Sequence, residues 1–258
     1  MSRWNAAVRH LFLSAVAGGV LLGLALWLWY PAALMQATGA ARIAGLVALV
    51  ALLSGPLLTL LVFRAGKAGM RFDLVVIALV QAGLLGYGLY TLAQGRPVFV
   101  VGAVDRFEVV RANELTHADL AQAPEAFRGP GWTGPRWVAV QLPDEPEARE
   151  QAVFESLSGR DLHLRPRYYV PVAQAITDLR ARALPVANLL PHLQANDRSR
   201  LLDALRGGDP SAIRALPVVA GSESVLVLLG NEEEPGPLVR VDPWAAQAAA
   251  GSAVPATP

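Results

Sequence analysis

Three stretches of about twenty residues without a charged side chain, at positions 11–30, 43–63 and 74–93, constrain this chain more than any other feature. A helix rises about 1.5 Å per residue, so each stretch spans the roughly 30 Å of hydrocarbon in a bilayer. Their strongly polar members are Ser14 in the first, Ser54 and Thr59 in the second, and Gln81 and Thr91 in the third. Buried helices of a large soluble core would require three consecutive charge-free runs of this length, so these stretches read as transmembrane spans. A cleaved signal peptide also opens with basic residues, and the small residues at 37–41 suit a cleavage site. Its apolar core covers only about 7 to 15 residues, however, and two further spans follow, so the first reads as an uncleaved anchor.

Charge divides the chain. Arg3, Arg9, Arg42, Arg64, Lys67, Arg71 and Arg96 face only Asp73 in residues 1–96, which therefore carry +6, while the remainder holds 15 arginines against 20 acids and carries −5. Basic residues collect in short cytoplasmic loops. Five of them lie in the N-terminal tail and the loop after the second span, against Arg42 and Arg96 in the opposite segments. The N-terminus is thus expected in the cytoplasm and residues from 97 onward outside it. Trp27, Trp29, Tyr30, Tyr87 and Tyr90 suit an aromatic belt at the outer interface. The net-acidic remainder argues against a nucleic-acid partner. With no cysteine in the chain, disulfides and thiolate chemistry are excluded.

Gly19 with Gly23, Ala78 with Ala82, and Ala82 with Gly86 are small-xxx-small pairs that let helices approach closely, and packing within the chain's own bundle is the first expectation. Gly55 and Pro56 interrupt the second span, where proline removes a backbone hydrogen bond and favours a bend. Gln81 in mid-span needs a partner in lipid. Ser54 or Thr59 can supply it, or a client helix can.

The spans place a three-helix transmembrane region at residues 1–96, a folded α+β domain at 97–244 and a tail at 245–258. Residues 98–104 and 107–110 read as a strand pair or one bent strand, 137–142 as another strand, and 216–220, 224–229 and 238–241 as three closing strands. Helices are expected at 147–157 and 172–183, with a short one opening at Asp209–Pro210 and running to Arg214. The tail is rich in Ala, Pro, Gly and Ser and reads as disordered.

Chemistry-bearing motifs are few. Gly129, Gly131 and Gly134 match a dinucleotide fingerprint by letter, but Pro130 and Pro135 flank them and a strand follows, so this segment reads as a turn. His10, His117, His163 and His192 have no metal-ligand spacing and read as surface residues. Thr116 and Asp119 fit a helix start. No catalytic set, metal or cofactor is expected. Arg160, Arg165 and Arg167 run into Tyr168 and Tyr169, and arginine with tyrosine is an interface composition. Asp105, Arg106 and Phe107 follow closely on the membrane exit, where the acid and base can pair with each other or fix the domain against the bilayer.

The runs that carry a family resemblance are WYP (Trp29, Tyr30, Pro31), GPLLTLLVF from Gly55 and Pro56, KAGMRFDLVVIALVQ around Asp73, YGLYTLAQGRPVF from Tyr87, VDRFEVVRANEL around Asp105, Arg106 and Phe107, and RPRYYVP at 165–171. Together they resemble the TfpX/TfpZ family of type IV pilin accessory proteins over residues 29–171, and the DPW at 242–244 is also similar. The resemblance implies a non-enzymatic assembly factor or chaperone of the bacterial inner membrane with a periplasmic C-terminal domain. Its implied partners are a type IV pilin, the inner-membrane pilus assembly machinery and membrane lipid. The chain does not read as a pilin, because no leader glycine is followed by a hydrophobic helix with an early Glu. In that setting Gln81 with Ala78 and Ala82 is expected to meet a pilin helix, and the arginine and tyrosine cluster the pilin head. A membrane-anchored sensor or ligand-binding module is the alternative reading.

Overall fold

The computed structural model describes residues 3–62, 69–157, 161–221 and 223–242. Arg64, Lys67, Arg160, Trp244 and the tail lie outside the described residues. The chain forms two compact units: Met1–Pro31 with Gly39–Arg96, and Ala32–Thr38 with Pro97–Pro258.

Four helices come first: α1 (Arg3–Trp29), α2 (Ala32–Ala37), α3 (Ala40–Val62) and α4 (Met70–Gly95). Helices α1, α3 and α4 are long and apolar enough to cross a membrane. Each outgrows its charge-free core at one end or the other, so α1 includes Arg9 and His10, and α4 includes Asp73 in its first turn, where an acid suits the helix dipole. In this unit α3 packs along both α1 and α4, which touch each other much less. Gly88 of α4 accepts Val47 of α3, and a Cβ there collides with the valine side chain. The Tyr30 hydroxyl donates to the Leu92 carbonyl at 2.8 Å and ties the ends of α1 and α4 together. Gly19, Gly23 and Gly86 depart from the expectation of packing within the bundle, since an added Cβ at each meets nothing within 4 Å. Side-chain packing in this unit draws instead on Gly55 and Gly88.

The second unit is a mixed α/β fold on one eight-stranded sheet. Its strands are β1 (Pro97–Ala103), β2 (Arg106–Arg111), β3 (Arg136–Val140), β4 (Tyr169–Pro171), β5 (Leu184–Pro185), β6 (Arg214–Val219), β7 (Ser224–Leu229) and β8 (Leu238–Val239). The order is β4-β3-β1-β2-β6-β7-β8, with β5 paired to β6 off this path. β1 runs parallel to β3, and β2 parallel to β6. The other pairs are antiparallel. The expected strand pair at the start is a hairpin, turned by Val104 at a φ of 56°.

Alternation along the strands sends successive side chains to opposite faces. In β7, Val225, Val227 and Leu229 enter one core with Phe107, Val109 and the residues Val172, Ile176 and Leu179 of α7 (Val172–Arg182). Leu34 and Ala37 of α2 complete that core. Leu226 and Leu228 face the other way, onto α8 (Val186–Leu189) and α9 (Ala195–Leu205). Val98, Phe99, Val101 and Tyr169 form a third core with Leu120 of α5 (His117–Ala121) and Phe127. Helix α6 (Pro146–Leu157) covers the helix expected at 147–157. The helix expected from Asp209 is only a turn, in which the Asp209 carboxylate accepts from the Ser211 N–H at 2.8 Å and the chain enters β6 at Arg214.

Candidate functional site

Within the membrane unit, the space left where α1 and α4 diverge over α3 is a groove of about 730 Å³. Ala6, Ala17 and Gly18 of α1 and Ala78 and Ala82 of α4 keep its walls low, and Ala51 and Thr59 of α3 line it too. At its base sits a hydrogen-bonded polar cluster contributed by all three helices.

Gln81 is the hub of that cluster. It is 9% exposed, and its amide nitrogen donates to the Ala51 carbonyl at 2.6 Å and to Ser14 Oγ at 2.8 Å. Its Oε1 lies 2.6 Å from His10 Nε2, and His10 Nδ1 lies 2.8 Å from Thr59 Oγ1. The Thr59 hydroxyl also reaches the Gly55 carbonyl at 2.8 Å. Gly55 is required by this arrangement, because a Cβ there runs into Gln81 Oε1 and lies 2.7 Å from His10 Nε2. Unsatisfied polar groups in hydrocarbon are costly, and this network satisfies Gln81 without water. The partners expected for Gln81 within the chain are Ser54 and Thr59, with a client helix as the alternative. Thr59 is joined only through the imidazole, and Ser54 Oγ is buried with no hydrogen-bond partner.

His10 is the residue that sequence reasoning misplaced, as one of four surface histidines. The available signal is its spacing of four from Ser14, which puts both on one helix face. Its partners on α3 and α4 are 49 and 71 residues away, beyond the reach of any local pattern.

In the second unit, the arginine and tyrosine cluster separates. Tyr169 is 1% exposed, packs edge-on against Phe99 at 5.2 Å between centroids, and donates its hydroxyl to the His163 carbonyl. Burial pushes its phenol pKa up. It is therefore a core residue, contrary to the interface expectation. Arg167 is exposed and lies over the Tyr168 ring at 4.7 Å, and Arg165 and Arg167 line a shallow cleft with Asp119 and Gln122.

Arg106 pairs with Asp105 at 3.3 Å and approaches Glu108 at 3.7 Å, while the Phe107 ring is buried edge-on to Trp137. Burial holds the Glu108 carboxyl above its ordinary range despite Arg106, and burial lowers the His163 imidazole. Thr116 caps α5 as expected, with reciprocal bonds to Asp119. The 129–135 segment forms no strand or helix, and Arg136 braces it through the carbonyls of Ala126 and Gly129. A further cleft of about 400 Å³ lies beyond the carboxyl ends of parallel β1 and β3, lined by Gln141, Asp144, Arg149, Asp178 and Arg182. Among the described residues, no group of three or more His, Asp or Glu side chains is placed to hold a metal ion.

The chain is similar to fimbrial assembly proteins of Dichelobacter nodosus. Those of serogroups I and E1 are each 27% identical to it over 199 residues, covering 76% of this chain and 77% of theirs. The fimbrial assembly protein of serogroups C1 and C2 is 28% identical over 116 residues, covering 44% of this chain and 88% of its own length. No family model matches the chain, and neither does any solved structure.

Proposed function

We propose that this chain is a membrane-embedded assembly factor for type IV pili, of the TfpX/TfpZ kind, that acts without catalysis on a pilin held in the same membrane. Its likeness to fimbrial assembly proteins along three quarters of its length supports the pilus assignment. The observation that carries the mode of action is the groove between α1 and α4, a space of about 730 Å³ lined by small residues over a buried polar hub. Helices associate in lipid through close packing over small residues, and the groove offers such a surface. Ala78, Gln81 and Ala82 meet the pilin helix in this reading, while Arg165, Arg167 and Tyr168 meet its head.

The distribution of basic residues supports an inner-membrane location with the N-terminus cytoplasmic and the α/β unit periplasmic. Residues 32–38 and 97–242 belong to one compact unit, and this favours a topology in which α3 and α4 cross the bilayer between them. Deletion in the native host is expected to reduce pilin abundance and surface piliation. Photo-cross-linkers at positions 78 and 82 are expected to capture the pilin. Normal piliation with no pilin captured removes the proposal. The cleft beyond β1 and β3 favours a second reading, a ligand-binding module, since ligands in parallel sheets bind outside the carboxyl ends of strands. Retention of a small molecule by the purified protein, lost on Asp178→Ala, supports that one.

A further inference from the structure

In the α/β unit, the charges around the cleft beyond β1 and β3 are unevenly matched. Among the described residues its lining holds two carboxylates, Asp144 and Asp178, and two guanidiniums, Arg149 and Arg182. Arg149 donates to the Pro143 carbonyl at 3.1 Å and lies 3.8 Å from Asp144. Arg182 donates from Nη1 to the Val104 carbonyl at 3.0 Å. Asp178 has neither a hydrogen bond nor an ion pair among the described residues.

Asp178 and Arg182 stand four apart on one face of α7, a spacing and order of acid and base that ordinarily attracts. Here Val104 takes the guanidinium instead. The hairpin pairs Ala103 with Arg106 and leaves Val104 and Asp105 as its two-residue loop, with Val104 at a φ of 56°. Glycine or asparagine suits such a left-handed loop position, and a β-branched residue there is strained. Packing does not account for the valine, whose side chain is 62% exposed. It lines the cleft, and strain of this kind gathers at ligand contacts. The turn thus serves the cleft twice. Its carbonyl holds Arg182 and leaves Asp178 without a helical partner, and its side chain adds apolar surface to the lining.

We infer that the cleft receives a primary ammonium on an aliphatic stem, a partner's lysine side chain or a free alkylamine, with Asp178 as its counter-ion. This rests on the reading of the cleft as a binding site and asks nothing of the groove in the membrane unit. An ammonium brings three donors, which the Asp178 carboxylate and the amide oxygens of Gln141 and Gln174 can accept. Val104, Leu142, Leu162 and Leu179 offer apolar surface to the stem, as lysine methylenes pack while the charged head stays polar. The ligand set selects an organic cation over a metal ion, since among the described residues no group of three or more His, Asp or Glu side chains is placed to hold one.

The test uses the full chain in micelles of an uncharged detergent and reads binding by saturation-transfer NMR. The probes are the blocked peptide Gly-Gly-Lys-Gly-Gly, its norleucine and glutamate counterparts, and 1,5-diaminopentane. The lysine peptide is expected to bind more tightly than the norleucine peptide by roughly tenfold or more. Asp178→Asn is expected to erase that margin while the circular dichroism melting curve is retained. Val104→Gly, which relieves the left-handed strain, is expected to leave the melting temperature no lower and yet to weaken the lysine peptide severalfold. A diamine that binds more tightly than the lysine peptide supports a free amine as the source, and the reverse order supports a polypeptide. Equal binding of the lysine and norleucine peptides overturns the inference, as does a lysine preference that survives Asp178→Asn or an affinity unchanged by Val104→Gly. Tighter binding of the glutamate peptide overturns it in favour of an anion on the arginines. Binding of none of the probes removes the reading of the cleft as a binding site as well, whereas binding without a lysine preference removes only the cation.

Discussion

Tyr169 and Glu108 show how single side chains set the stability of the α/β unit. Tyr169→Phe removes the bond to the His163 carbonyl and is expected to cost about 1 kcal/mol, whereas Tyr169→Ala empties part of a core and is expected to cost about 3–5 kcal/mol. Denaturant titration of the folded unit measures both. Glu108 makes a pH prediction. Its native pKa is raised, so the native state holds the proton while the unfolded chain releases it. The associated stability is full below the unfolded carboxyl value and is lost as pH rises through the native one. Glu108→Gln is therefore expected to raise Tm at pH 7 by about 2 °C and to give no gain near pH 4, in melts that follow the second unit. Gln81 was legible as a polar residue needing a partner, because an amide in a charge-free span stands out. The identity of that partner was not, since a histidine just outside an apolar run looks like a flanking residue until the helix is seen to begin at Arg3.

At the scale of elements, helix–helix packing depends on where glycine meets a neighbour and not on where it repeats. Gly19 and Gly23 form the recognisable motif, yet a Cβ added at either meets nothing within 4 Å, while Gly88, which sits under Val47, has no such signature. Gly88→Ala is expected to separate α3 from α4 and to cost about 1–3 kcal/mol, read as a lowered melting temperature in detergent. Gly19→Ala is expected to leave it unchanged. The spans, the strands β1, β2, β6 and β7, and helices α6 and α7 were readable from hydrophobic length and alternation, whereas the pairing of the strands was not. Helix α9 was not, because only Leu201 and Leu205 of its residues are buried and apolar and its first half is polar. The turn at Asp209 shows the limit of a capping signal. The aspartate caps, but too few residues separate it from β6 for a helix to propagate.

For the whole molecule, the partition of the chain matters more than the count of helices. Reading along the sequence, residues 32–38 look like a linker between spans, yet Leu34 is fully buried in the sheet's core and the Glu223 N–H donates to the Ala37 carbonyl at 3.2 Å. No local pattern announces this, because the partners lie more than sixty residues downstream. Leu34→Ala is expected to destabilise the α/β unit by about 2–5 kcal/mol, although it lies outside residues 97–242. A fragment starting at Pro97 is expected to show the same deficit, and added 32–38 peptide to repair it.

Because the α/β unit takes one of its own core helices from between the first two spans, severing the backbone between Arg96 and Pro97 does not set that unit loose. A protease site inserted there is expected to yield two polypeptides on a denaturing gel, yet both are expected to sediment with the vesicles until urea is added. The loop between the first two spans works as a non-covalent rivet.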